Sequence, residues 1–103
     1  MGFVPFGGTG YTGFKMLTKN DSSPVRATAS RVLASEPDPE SGESLVNAAS
    51  DKSWIVRMAA LDSLARGGDR TVSPQIVPNL EDSKDAVRST AAAAILRLSQ
   101  TKK

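Results

Sequence analysis

The stretch Val56-Arg57-Met58-Ala59-Ala60-Leu61-Asp62-Ser63-Leu64 has a counterpart 31 residues to either side. Upstream it is Val25-Arg26-Ala27-Thr28-Ala29-Ser30-Arg31-Val32-Leu33, and downstream Val87-Arg88-Ser89-Thr90-Ala91-Ala92-Ala93-Ala94-Ile95. Four residues after each Val lies an Ala (Ala29, Ala60, Ala91), and eight after it a Leu or Ile (Leu33, Leu64, Ile95). Spacing of i, i+4 and i+8 lays these side chains along one face of a helix. The chain therefore repeats, and each repeat opens with an apolar-striped helix.

The same offset governs the second half of each unit. Leu45 and Val46 superimpose on Ile76 and Val77, and Ala49 on Leu80, which predicts a second helix in each unit. Turn formers separate the two helices: Glu36-Pro37-Asp38-Pro39 in one unit, Gly67-Gly68-Asp69-Arg70 in the next. Ser23-Pro24, Ser53, and Asp82 or Ser83 are the expected helix starts. Pro78 falls inside the second helix of its unit and should kink it or delay its start. Asp51 and Asp82 share the period, whereas Asp21 is one residue out of step, predicting a one-residue difference in that turn.

A lone pair of such helices cannot cover its own apolar stripe, but stacked pairs share a continuous core. The expectation is an all-α, α-α superhelix: a short right-handed solenoid of helical hairpins. Residues 21–103 form the repeat domain, with units 21–50, 51–81 and 82–100. Residues 1–20 form an N-terminal arm and partial repeat helix acting as a cap, packing through Phe14 and Leu17.

The pattern over 21–100 resembles the HEAT-like repeats first described in phycobilisome lyase subunits. It has the Asp, the Val-Arg pair, the Ala-rich first helix ending in Leu, the Gly-Asp turn and a second amphipathic helix. The 36–42 turn lacks the Gly-Asp element, and the first 20 residues do not follow the motif cleanly. The resemblance implies a binding scaffold whose second helices line the concave face. On that face Ser44, Asn47 and Ala48 of one unit and Gln75 and Asn79 of the next would meet a partner. It also suggests an alternative, an accessory subunit of a bilin (tetrapyrrole) lyase.

Composition narrows the chemistry. The chain has 103 residues with no His and no Cys, so it cannot build a Ser-His-Asp or Cys-His pair, a disulfide or an ordinary zinc site. The remaining carboxylate pairs, Asp62 with Asp69 or Glu40 with Glu43, read as solvated helix faces, so no catalytic residue, metal or cofactor is expected. Net charge is +2, and the only adjacent basic residues are Lys102 and Lys103. Nucleic acid is not favoured as a partner. No apolar run reaches membrane-spanning length. No feature names a compartment, and the cytoplasm is the default for a chain read as soluble.

Three features compete with plainer readings. Gly8-Thr9-Gly10-Tyr11-Thr12-Gly13 is a literal G-x-G-x-x-G, which offers a nucleotide-binding fragment as a further alternative. Such a site needs a βαβ unit that helical periodicity excludes here. Arg26, Arg57 and Arg88 could grip an acidic ligand, but with Asp51 and Asp82 on the same period they read as an inter-repeat ladder. Trp54, the only Trp, is either an interface anchor or a cover for the preceding turn, and packing is favoured. The expected partner is another protein or the rest of a longer parent chain. Self-association is possible through the last helix, where Leu96 or Leu98 lacks a cover.

Overall fold

The computed structural model describes residues 17–35 and 39–100. Among these the chain is helical throughout, with no strand. Helix α1 spans Ser23–Leu33, α2 Pro39–Ala48, α3 Trp54–Gly67, α4 Ser73–Ile76 and α5 Asp85–Ser99. Two 3-10 segments, Arg70–Val72 and Val77–Glu81, flank α4.

The helix ends follow local chemistry. The cap of α1 is Ser22, one residue earlier than expected, because its hydroxyl accepts the Val25 amide (3.4 Å) and leaves Pro24 within the first turn. Ser53 caps α3 without a side-chain bond. The cap of α5 is Lys84 and not Asp82 or Ser83, since the Asp82 side chain accepts the Lys84 amide and holds the backbone extended at that residue. Helix α3 stops at Gly68, whose φ of 76° lies in the left-handed region that glycine adopts without a Cβ penalty.

The first helices form one layer. α3 lies between α1 and α5, and α2 packs on α3 and α1, while Val77–Glu81 packs on α5. One cluster of buried side chains runs through this arrangement, from Leu33 through Val56, Leu61 and Ile76 to Val87 and Leu98. Each buried Leu, Ile or Val contributes about 1.5 to 3 kcal/mol relative to an exposed one. The stripe read from the period is buried at Ala29, Ala60, Ala91, Leu33, Leu64, Val56 and Val87. It is half-buried at Val25 and Ile95. Leu98 completes the last helix's core face, while Leu96 is 63% exposed.

The second layer departs from expectation. In place of one amphipathic helix over 70–81, the second unit has a 3-10 turn, the four-residue α4 and another 3-10 turn. Pro78 has no amide hydrogen for the carbonyl four residues back, and its ring clashes there, so α-helix cannot continue through it. The tighter 3-10 winding then rotates successive side chains by more than an α-helix does. Ile76 stays buried like Leu45, but Val77 (47% exposed) and Leu80 (39%) turn outward where Val46 and Ala49 are covered.

Candidate interaction site

Each first-layer helix is preceded by the same hydrogen-bonded turn. A side-chain oxygen of Asn20, Asp51 or Asp82 accepts the amide two residues on, from Ser22 (2.9 Å), Ser53 (2.8 Å) and Lys84 (2.9 Å). These three residues are spaced by 31, so Asn20, not Asp21, occupies the repeat position, and the turn contains no one-residue difference. An Asx turn needs only a side-chain carbonyl, which Asn supplies as well as Asp. A search for acids alone passes over it, while counting 31 residues upstream of Asp51 finds it.

Six residues into each unit an Arg reads the same turn. Nη1 of Arg26, Arg57 and Arg88 donates to the backbone carbonyl of Asn20 (2.7 Å), Asp51 (2.8 Å) and Asp82 (2.5 Å). The rest of the guanidinium reaches forward. Arg26 donates through Nε and Nη2 to both oxygens of Asp51 (2.9 and 3.0 Å), and Arg57 does the same to Asp82 (2.6 and 2.9 Å). Two parallel charge-assisted bonds of this kind fix orientation as well as adding attraction. Arg88 differs: its Nη2 pairs with Asp85 in its own helix.

These contacts shift the carboxyls. Burial works against ionisation of Asp51, but the Arg26 hydrogen bonds, the Ser53 amide and the charges of Arg26 and Lys52 together hold it below the usual carboxylate range. Asp82 is held low first by its bonds from Arg57, against some burial, and then by the Lys84 amide. The Asp51 bond in turn raises Arg26 above the ordinary arginine value.

On the second layer lies an open groove of about 460 Å³, lined by Gly42, Glu43, Val46 and Asn47 of α2 and by Asp69, Val72 and Gln75 of the facing segment. Asn47 and Gln75 are exposed, and their side-chain amides make no hydrogen bond among the described residues. Ser44 is half-buried on α2 outside the groove lining, and Ala48 is buried in the core. Asn79 faces inward: its amide donates to the Ala49 carbonyl (2.9 Å), tying the second unit's 3-10 segment to the end of α2.

Glu43 and Asp69 belong to the groove although the sequence paired each with a different acid. Glu43 stands one helical turn before Asn47 on α2, which is the signal that could have joined them. Asp69 opens the facing segment, where the Thr71 hydroxyl (2.6 Å) and then its amide (2.9 Å) hold the carboxyl below the usual range. Asp62 instead pairs with Arg66 on the exposed face of α3.

Trp54 is half-buried against the core cluster, and the Lys84 ammonium lies 5.5 Å from its ring centroid. That distance is within reach of a cation–π attraction. The Gly8–Gly13 segment and Phe14 lie outside the described residues. Leu17 is 37% exposed and borders a small apolar recess with Pro24, Val25, Thr28 and Ala29. Among the described residues no group of acids could hold a metal ion, and no helix is long and apolar enough to cross a membrane.

No curated protein matches the chain. The family described as HEAT repeats matches residues 14–97, a span that takes in α1 and almost all of α5. Proteins built of such repeats generally bind other proteins and are typically non-catalytic. With four fifths of its length matched, and with helices layered in register over one core, the chain belongs to the HEAT repeat family.

Proposed function

We propose that this chain is a non-catalytic protein-interaction scaffold that holds a basic, extended segment of a partner in the groove between α2 and Asp69–Gln75. The observation that carries this reading is the groove's lining. Glu43 and Asp69 supply two carboxylates that form no ion pair among the described residues, Val46 and Val72 supply apolar contact, and Asn47 and Gln75 present amides with no internal bond. Free amides suit the alternating donors and acceptors of an extended backbone, and the carboxylates suit Lys or Arg side chains. The partner is another protein or a further part of a longer parent chain.

Within the HEAT family we infer the HEAT-like type of phycobilisome lyase repeats, which the 31-residue period and the Asp and Val-Arg positions support. In the same reading residues 21–103 work as one repeat domain and residues 1–20 as its cap.

The groove is tested by calorimetry of the full chain against a short peptide alternating lysine and alanine, and against its glutamate counterpart. A Cβ at Gly42 meets nothing within 4 Å, so Gly42→Leu fills the groove without a clash at its root. The lysine peptide should bind, and Gly42→Leu and Glu43→Lys should each weaken it roughly tenfold, about 1.4 kcal/mol. Equal affinity for both peptides, or indifference to both variants, would refute the reading.

A further inference from the structure

Asp51, Asp82 and Asp69 each accept the amide two residues on, but their carboxylates differ in what they have left to offer. At Asp51 and Asp82 the turn occupies one lone pair of Oδ1, through the Ser53 or the Lys84 amide. The arginine fork then takes the other lone pair of Oδ1 with Nη2 and one of Oδ2 with Nε. A carboxylate closes a bidentate guanidinium pair only when both oxygens have room.

At Asp69 that room is taken. The Thr71 amide (2.9 Å) and the Thr71 hydroxyl (2.6 Å) both donate to Oδ1, which fills its two lone pairs, while Oδ2 accepts no hydrogen bond among the described residues. The turn itself is anchored by Val72, whose side chain is buried in the core. Asp69 therefore offers a ligand one oxygen in a fixed place. A guanidinium meeting it makes a single bond and loses the second arm of its fork. An ammonium is a compact point charge that needs one oxygen only, and its remaining donors can turn to the side-chain carbonyls of Asn47 and Gln75, which line the same groove.

We infer that Thr71 is a positioning residue that makes the Asp69 side of the groove select lysine over arginine, by occupying the carboxylate oxygen that an arginine fork requires. The inference rests on the groove reading above and narrows the basic residues of its partner to lysine at this wall. Glu43, on the opposite wall, has no such turn closing on it and accepts either cation. The one carboxylate chemistry thus serves two ends in this molecule: where the turn gives only an amide, the aspartate is open to an internal arginine, and where threonine adds its hydroxyl, it is closed to one.

The test is calorimetry of the full chain against two peptides of equal length, one alternating lysine with alanine and one alternating arginine with alanine. The parent should bind the lysine peptide roughly fivefold more tightly. Thr71→Val keeps the branched shape and the amide bond but releases one lone pair of Oδ1 to water, which a guanidinium can displace. In that variant the arginine peptide should gain until the ratio is about one, while the lysine peptide, held at Oδ2, should stay within about twofold of its parent affinity. Thr71→Ser keeps a hydroxyl and should preserve the parent's ratio. Glu43→Gln leaves Asp69 as the one carboxylate among the lining residues and should widen the preference for lysine. Thr71 is exposed, so the melting curves of its variants should lie close to the parent's. Equal or tighter binding of the arginine peptide by the parent overturns the inference and leaves the groove standing. A ratio unchanged in Thr71→Val, with or without a common loss of affinity, reduces Thr71 to a structural part of the turn and overturns it too. Binding that ignores both Glu43→Lys and Gly42→Leu refutes the groove itself, and the inference falls with it.

Discussion

The two layers of this molecule treat the 31-residue repeat differently. Along the first layer the same turn, arginine and apolar stripe recur three times, with closely matched hydrogen bonds at each turn. Along the second, α2 is a continuous helix, whereas its successor is broken by Pro78 into short 3-10 and α pieces. The difference follows from how many neighbours each layer must satisfy. A helix such as α3 is covered by α1 on one side and α5 on the other, and also by α2, so nearly every position is constrained. The second layer needs one buried face only, and Leu45 and Ile76 provide it. Its other face is free to vary, and that is where the groove lies.

The sharpest way to break this comparison is to truncate one leucine on a helix covered from both sides and one on the open face of the last helix. Leu61 is fully buried in α3, so Leu61→Ala should cost about 3 kcal/mol in denaturant melts, while Leu96→Ala on α5 should change stability by less than about 0.5 kcal/mol. Similar losses at both positions would mean that α5 is covered in solution and that its outer face is constrained like that of α3.

Acid titration of stability probes the first layer's ladder. Asp51 and Asp82 have folded pKa values below the ordinary aspartate value of 3.8. The unfolded chain therefore takes up protons first as pH falls. The ladder's contribution is complete above about pH 4 and is lost as pH drops through the lower folded values. Asp82→Asn should remove about 1 to 2 kcal/mol at neutral pH and flatten this acid limb in urea melts at a series of pH values. An acid limb of unchanged slope in that variant would show that the ladder is not what titrates.

The smallest expected effect lies in the second layer and has the opposite sign. Ser41 is buried in α2 with its hydroxyl unpaired among the described residues, where the next unit has Val72. Ser41→Ala should raise stability by about 1 kcal/mol, measured by thermal melting. A loss instead would place a hydrogen-bond partner on that hydroxyl.

What the sequence disclosed tracks the same division. The helices of the first layer, their core face and the residues of the ladder could be read from one spacing, because each position repeats for the same packing reason. Asn20 was hidden only by its lack of charge. In the second layer Pro78 signalled trouble, but whether the chain kinks or rewinds as 3-10 depends on how Asn79 ties to the end of α2 and how the Val77–Glu81 segment packs on α5, which is a tertiary matter. The groove was half visible: Asn47 and Gln75 come from the family resemblance, which puts residues off the core stripe of the second helices on the concave face. Glu43 and Asp69 meet across elements that share no period, so no spacing joins them.

The carboxylate of Asp82 has two duties at once. Oδ1 accepts the Lys84 amide that starts α5, and the same group closes the Arg57 fork from α3. Starting one helix is thereby made conditional on its predecessor, and Asp51 imposes the same condition between α1 and α3. The array is wired in series: releasing α3 deprives α5 of the partner that positions its initiating turn, so loss of order passes down the chain toward its C-terminal end. Nearest-neighbour coupling of this kind lets a few short helices, each too small to persist alone, melt as one cooperative body.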